Sequence, residues 1–241
     1  MAVTLQTGPV RKALPVKAAG RGVETTLRSH TQVALRSAIL NGQFVAGQKL
    51  VERELCELTG ASRSVLREAL VNLEVNGLIE RQSYCGYRVT ELDARTVCEI
   101  FELRSSLETQ AAVLFAERAS EAELEALNRQ LEKLEGCVEN FDIEIMRPVK
   151  EGYYDILFTG CRNRELRRAL ENIIDRVCHL RSRLMRDPEL RVTSLHEMQK
   201  LTAALLKRDP IATRAASLAH LDSAKEAVLA SMADEVFKDD L

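Results

Sequence analysis

The stretch Ala61-Ser62-Arg63-Ser64-Val65-Leu66-Arg67-Glu68-Ala69-Leu70 does most to limit what this chain can become. Ser62 suits a helix N-cap, because its hydroxyl can accept a hydrogen bond from an amide that the first turn leaves over. Leu66, Ala69, Leu70 and Leu73 recur at helical spacing and make one apolar stripe. Arg63, Ser64 and Arg67 fall on the opposite side, within the first two turns. A helix that buries one face and carries two guanidinium groups near its N-terminus fits a major groove, where arginine forks onto guanine acceptors or holds phosphates. The same ten residues would also suit a surface helix with solvated arginines, so the surrounding sequence has to decide.

Upstream, Leu27 to Leu40 carries Val33, Leu35, Ile39 and Leu40 and stops at Asn41-Gly42, as a first helix would. Lys49-Leu50-Val51 reads as a short extended segment, Glu52 to Leu58 as a second helix, and Thr59-Gly60 as a turn. Asn76-Gly77 is a left-handed stop for the helix opened by Ser62. Leu78–Gln82 and Tyr87–Thr90 are strand candidates, with Ser83-Tyr84-Cys85-Gly86 as the hairpin tip. Helix, helix, turn, helix, hairpin is a winged helix-turn-helix. An unrelated bundle has no use for the terminal hairpin.

Residues from about 27 to 92 resemble the DNA-binding domain of GntR-type bacterial transcription factors. The matching stretches are Leu35-Arg36-Ser37-Ala38-Ile39-Leu40-Asn41-Gly42, Glu52-Arg53-Glu54-Leu55, the run from Ser62 to Leu70, and Gly77-Leu78-Ile79. The resemblance implies that Arg53, Arg63, Ser64 and Arg67 occupy DNA-contacting positions and that Gly86 lies at the wing tip. Val65 stands where the family often has threonine or proline, which suits contact with a thymine methyl better than hydrogen bonding. Cys85 precedes the wing glycine, where a polar residue is frequent.

With 241 residues the chain can hold two domains, each with a core of its own. The net charge of −2 hides an asymmetry. Residues 1–92 carry 12 Lys+Arg against 8 Asp+Glu, and residues 93–241 carry 22 against 28. A basic part beside an acidic one fits one nucleic-acid-facing domain and one with another task. Residues 1–23, with Arg11, Lys12, Lys17 and Arg21 and no acid, are expected to form a flexible basic arm ahead of a 24–92 DNA-binding domain. The six cysteines show no metal-type spacing, so free thiols in a reducing cytoplasm are expected, with Cys85 the one candidate for exposure. No apolar run approaches a membrane span, and no signal-peptide core is present.

From Asp93 the pattern is helix after helix. Asp93 can cap a helix to about Ala119, marked by Val97, Ile100, Phe101, Leu103 and Leu107. Ser120-Glu121-Ala122-Glu123 is a capping box for a second, to about Glu139. A third spans roughly Phe141 to Gly160, interrupted or started afresh at Pro148. Asn163 caps a fourth to about Arg186, Pro188 and Thr193 introduce a fifth to Lys207, and Asp209-Pro210 opens the last, to about Val236. Six helices with short connections make an antiparallel bundle over residues 93–241. The expected class is thus mainly α, a winged helix-turn-helix followed by a six-helix bundle.

This second part is similar to the effector-sensing FCD domain of the FadR-type branch of the GntR family. The matches are Phe101 to Glu108, Cys161-Arg162-Asn163-Arg164-Glu165-Leu166 and Ala219-His220-Leu221. In many relatives an Asp and three His hold a divalent metal that helps to bind a small organic acid. Counting back from Asn163 puts the usual Asp on Lys150 and the usual His on Tyr154; counting back from Asp209 puts the next His on Met198. Only His220 remains. His196 lies two positions from Met198, about 200° around the helix, and does not rescue the set. No metal and no other cofactor is expected, because a lysine, a tyrosine, a methionine and one imidazole do not suit a divalent ion.

Lys150, Arg104 and His220 are expected to replace the ion's charge and hold an anionic effector, with Tyr154 adding a hydroxyl and Met198 lining the site. The alternative is a filled core in which Lys150 pairs with Glu108 or another inward carboxylate. The resemblance implies a homodimeric, effector-responsive repressor of a palindromic double-stranded DNA operator, with no membrane partner. A DNA-binding protein that has lost its effector stays open. An enzyme has less in its favour, since no nucleophile–base motif or phosphate loop is present.

Overall fold

The computed structural model describes residues 27–82 and 86–239, and their side chains except those of 27–28, 172, 175, 177–183 and 234–239. The proposed basic arm and the hairpin tip at 83–85 lie outside the described residues. The chain divides into two compact units, Met1–Glu91 and Leu92–Leu241. The division falls one residue before the boundary expected from the sequence, because Leu92 packs with Val97, Ile100, Phe101, Leu184 and Val228 of the second unit.

In the first unit α1 (Leu27–Leu40), β1 (Lys49–Leu50), α2 (Glu52–Thr59), α3 (Arg63–Val75), β2 (Ile79–Gln82) and β3 (Gly86–Val89) follow in that order. The sheet is antiparallel with strand order β1-β3-β2, pairing Leu50 with Tyr87 and Ile79 with Val89. Gly60 ends α2 in the left-handed region at φ 68°, a conformation that costs an L side chain energy. At the end of α3 the Leu78 amide donates to the Leu73 carbonyl at 3.0 Å and the Gly77 amide to Glu74 at 2.9 Å. That pair of bonds, with Gly77 at φ 69°, is a Schellman stop and turns the chain directly into β2. Leu35, Ile39, Leu55, Leu66, Leu70, Leu73, Leu78 and Val89 make the core, all 2% exposed or less. Val33, an apolar marker of α1, instead faces outward at 60%.

The second unit is a bundle of α4 (Ala94–Arg118), α5 (Glu121–Glu139), α6 (Ile143–Gly160), α7 (Arg164–Leu184), α8 (Pro188–Leu206) and α9 (Pro210–Asp239). Side-chain caps set the starts. Asp93 accepts from the Thr96 amide, Ser120 and Glu123 close the expected capping box, and Asp187 accepts from Glu189 and Leu190. Asp209 accepts from Ile211 and Ala212, both at 3.0 Å. Helix α6 differs from the sequence reading, running through Pro148 without a break from its cap at Asp142. Proline removes one amide bond there, but Met146 before it and Tyr153 after it are both fully inside the core and hold the two segments in line. The main core gathers Phe115, Leu127, Leu157, Leu170, Met198, Leu201 and Leu205. No described helix is long and apolar enough to cross a membrane.

The packing of α4 on α6 explains one glycine. A Cβ at Gly160 would lie 2.5 Å from the Phe115 ring, and Phe115 is 0% exposed. Gly160→Ala should therefore lower stability by about 1–3 kcal/mol in chemical denaturation. Gly136→Ala, on the exposed face of α5 with nothing within 4 Å of the new methyl, should raise it by about 0.5–1 kcal/mol.

Candidate functional site

On α3 the Ser62 hydroxyl accepts from the Val65 amide at 3.4 Å and lies 3.0 Å from the Ser64 hydroxyl. The cap fixes the helix start, and the buried stripe of Leu66, Ala69, Leu70 and Leu73 fixes which side faces out. Arg63, Ser64 and Arg67 all lie on the exposed side, and Arg53 is exposed on α2. Val65 is half-buried and gives its amide to the cap, so less of it is available than of its neighbours. Gly86 is exposed at the start of β3, with φ 87°.

Arg67 has a partner the sequence reading did not identify. Its Nε donates to both carboxylate oxygens of Glu52 at the start of α2, at 3.0 and 3.3 Å. With 65% of the Arg67 side chain exposed, such a pair adds little stability. It does restrict where the guanidinium points, which favours a defined contact over a roaming charge.

In the bundle the expected effector residues separate into two groups. Arg104 is 1% exposed and donates from Nε to Glu108 Oε1 at 2.5 Å, with its guanidinium 4.8 Å from the Phe101 ring centre. Glu108 therefore serves Arg104, and the alternative pairing of Lys150 with Glu108 is replaced by another: Lys150 Nζ donates to Ser194 Oγ at 3.0 Å. Met198 is 0% exposed within the main core, beside Leu201 and Leu205. His196, on the other side of α8, is exposed.

Tyr154 and His220 do meet. Tyr154 Oη lies 3.1 Å from His220 Nε2, and the other ring nitrogen, Nδ1, lies 2.9 Å from Glu197 Oε2. A carboxylate only accepts, so Nδ1 carries a proton and donates to Glu197. His220 is 2% exposed, which makes both partners necessary. Burial alone would push the Glu197 carboxyl up. Hydrogen bonds from His220 and Ser223, with the charges of His220 and Lys150, outweigh it and hold Glu197 below the usual carboxylate range. Lys150 on α6, Ser194 and Glu197 on α8, and His220 and Ser223 on α9 thus form one connected polar cluster.

Glu197, Ser194 and Ser223 were missed in the sequence, where only positions matching the family's ligands were followed. The available signal was the row Leu190, Ser194, Glu197, Leu201 on α8, which repeats at helical spacing and puts a carboxylate on a largely apolar face.

The cluster does not suit the divalent ion found in many relatives. Glu197 and His220 supply one oxygen and one nitrogen, and Lys150 puts an ammonium close enough to lower the carboxylate's pKa. Among the described residues no three His, Cys, Asp or Glu side chains are grouped to hold a metal. Beside the cluster a cavity of about 30 Å³ is lined by Leu184, Met185, Leu190, Thr193, Ser194, Glu197, His220, Ser223, Ala224 and Ala227.

Residues 27–89 match the model of bacterial regulatory proteins of the gntR family, and residues 99–223 match the FCD domain. The HTH-type transcriptional regulator YdhC of Bacillus subtilis is 32% identical over 190 residues, covering 78% of this chain and 84% of its own length. The HTH-type transcriptional repressor GlaR of Escherichia coli is 27% identical over 188 residues, covering 73% and 83%. The solved structure of E. coli McbR/YncC superposes with a TM-score of 0.75 at 25% identity, over 86% of this chain and 98% of that one. The families and these relatives are transcriptional regulators rather than enzymes. A capped α3 with its arginines outward, a winged sheet behind it and a separate helical sensor unit are thus parts of one recognised design: the chain is a DNA-binding transcriptional regulator of the GntR family with an FCD domain.

Proposed function

We propose that this regulator is a ligand-responsive repressor that binds a palindromic operator as a homodimer in the cytoplasm, with an effector held in the bundle directly by side chains. The observation that carries the sensor half is the convergence of Lys150, Tyr154, Ser194, Glu197, His220 and Ser223 from three helices beside a cavity. Buried polar groups cost energy that an apolar core would avoid, so their retention favours use. The repressor reading is supported by the relative named as a repressor, and the homodimer by the match of two-fold proteins to two-fold sites.

Arg53, Arg63, Ser64 and Arg67 are the proposed DNA contacts, with Val65 against a thymine methyl and Gly86 at the wing. An effector changes operator affinity only if it binds the operator-competent arrangement with a different affinity from the other. The anionic effector expected from Lys150, Arg104 and His220 meets a difficulty in the geometry. Arg104 is paired with Glu108, and Glu197 already places a negative charge beside Lys150 and His220.

Arg63→Ala and Arg67→Ala should each weaken binding to a selected operator by about 1–3 kcal/mol, roughly 5- to 150-fold, and relax the preference for one base pair. Competition binding against variant operators checks this, and unchanged specificity in both variants would remove α3 as the reader. Light scattering should give twice the chain mass for both variants and the wild type, since neither arginine belongs to a core.

A further inference from the structure

The carboxylate that holds Arg67 belongs to the other helix of the helix-turn-helix. Glu52 opens α2, Arg67 lies in the second turn of α3, and the ion pair between them spans the turn that joins the two helices. Glu52 is half-buried and Arg67 exposed, on the side of α3 away from its buried stripe. Both bonds use Arg67 Nε, at 3.0 and 3.3 Å. The two terminal amino groups stay available to an outside acceptor. They present a parallel pair of donors, the arrangement that forks onto guanine O6 and N7.

Charge decides what this arrangement favours. A free arginine beside DNA is drawn to the phosphates, where each neutralised charge releases counterions and adds affinity on every sequence alike. A guanidinium held by a carboxylate is a unit of no net charge. It gains little from a phosphate, and any approach to one sets Glu52 against a like charge. Base reading depends on hydrogen-bond geometry rather than on net charge, so the pair keeps that role and loses the other. Exclusion of water on docking strengthens the pair. We propose, on the reading that Arg67 contacts the operator, that Glu52 is a specificity-determining residue of this regulator: it withholds Arg67 from phosphate and aims its terminal amino groups at a base. Glu52 is thus a positioning residue, acting through Arg67.

The probes are an operator selected from random duplexes with the wild type and a scrambled duplex of the same length, titrated with full-length protein over a range of salt. Glu52→Gln keeps the size and removes the charge, and it folds, because an exposed pair adds little stability. It is expected to bind the scrambled duplex more tightly, with a log–log salt slope steeper by about one. The ratio of operator to scrambled affinity should fall roughly fivefold or more. In an Arg67→Ala background the same change should leave that ratio within about twofold. An unchanged ratio in Glu52→Gln overturns the proposal. So does an equal gain on both duplexes, which would make the pair a latch that DNA has to open. A fall in ratio as large in the Arg67→Ala background as in the wild type also overturns it, since Glu52 would then act without Arg67. Arg67→Ala alone separates the two readings. If it keeps the wild-type ratio, Arg67 does not read DNA and both readings fall. If it loses the ratio while Glu52→Gln keeps it, Arg67 reads unaided and only the role of Glu52 falls.

Discussion

A charge kept inside a helical bundle constrains everything packed around it, and Glu197 is that charge here. Its carboxylate on α8 is shared by His220 and Ser223 on α9 and lies in the field of Lys150 from α6. Three helices are thus tied at one level by a group that an apolar residue would replace at less cost in desolvation. Remove the carboxylate, and His220 loses the acceptor that orients its ring toward Tyr154. The cavity beside the cluster is lined by residues of α8 and α9 and by the end of α7.

The same logic separates the bundle from its metal-binding relatives. At the positions that the family resemblance assigns to metal ligands this chain has Lys150, Tyr154 and Met198, and a carboxylate, Glu197, stands next to Met198 on α8. The two residues are adjacent in sequence and about 100° apart around α8, so one enters the core and the other the cavity. The DNA-binding unit matches the gntR family model over residues 27–89, and its α3 is bounded by the Ser62 cap and the Gly77 stop.

How much of this was legible in the sequence depends on the range of the interaction. Caps, stops and turns are local, and Ser62, Gly77, Ser120-Glu123 and Asp209 could be read directly, because their hydrogen bonds join residues two to five apart. The outward face of α3 followed from its apolar stripe. Long-range choices were not encoded in spacing. Lys150 could have met Glu108 or another inward carboxylate, and no spacing pointed to Ser194 and Glu197, which lie more than forty residues on. Pro148 reads as a break, yet packing on both sides carries the helix through it. Glu197 was hidden for another reason: it matches no ligand position in the relatives, so only the periodicity of α8 pointed to it.

The central proposal is that the bundle holds its effector by side chains alone, without a divalent ion. Adding zinc, nickel or manganese to the full-length protein, previously dialysed against chelator, and following both bound metal and melting temperature tests it most directly. The account predicts less than stoichiometric metal and no rise in melting temperature, with wild type and His220→Ala behaving alike towards the ions. One equivalent of tightly bound metal that stabilises the wild type and is lost in His220→Ala would contradict it.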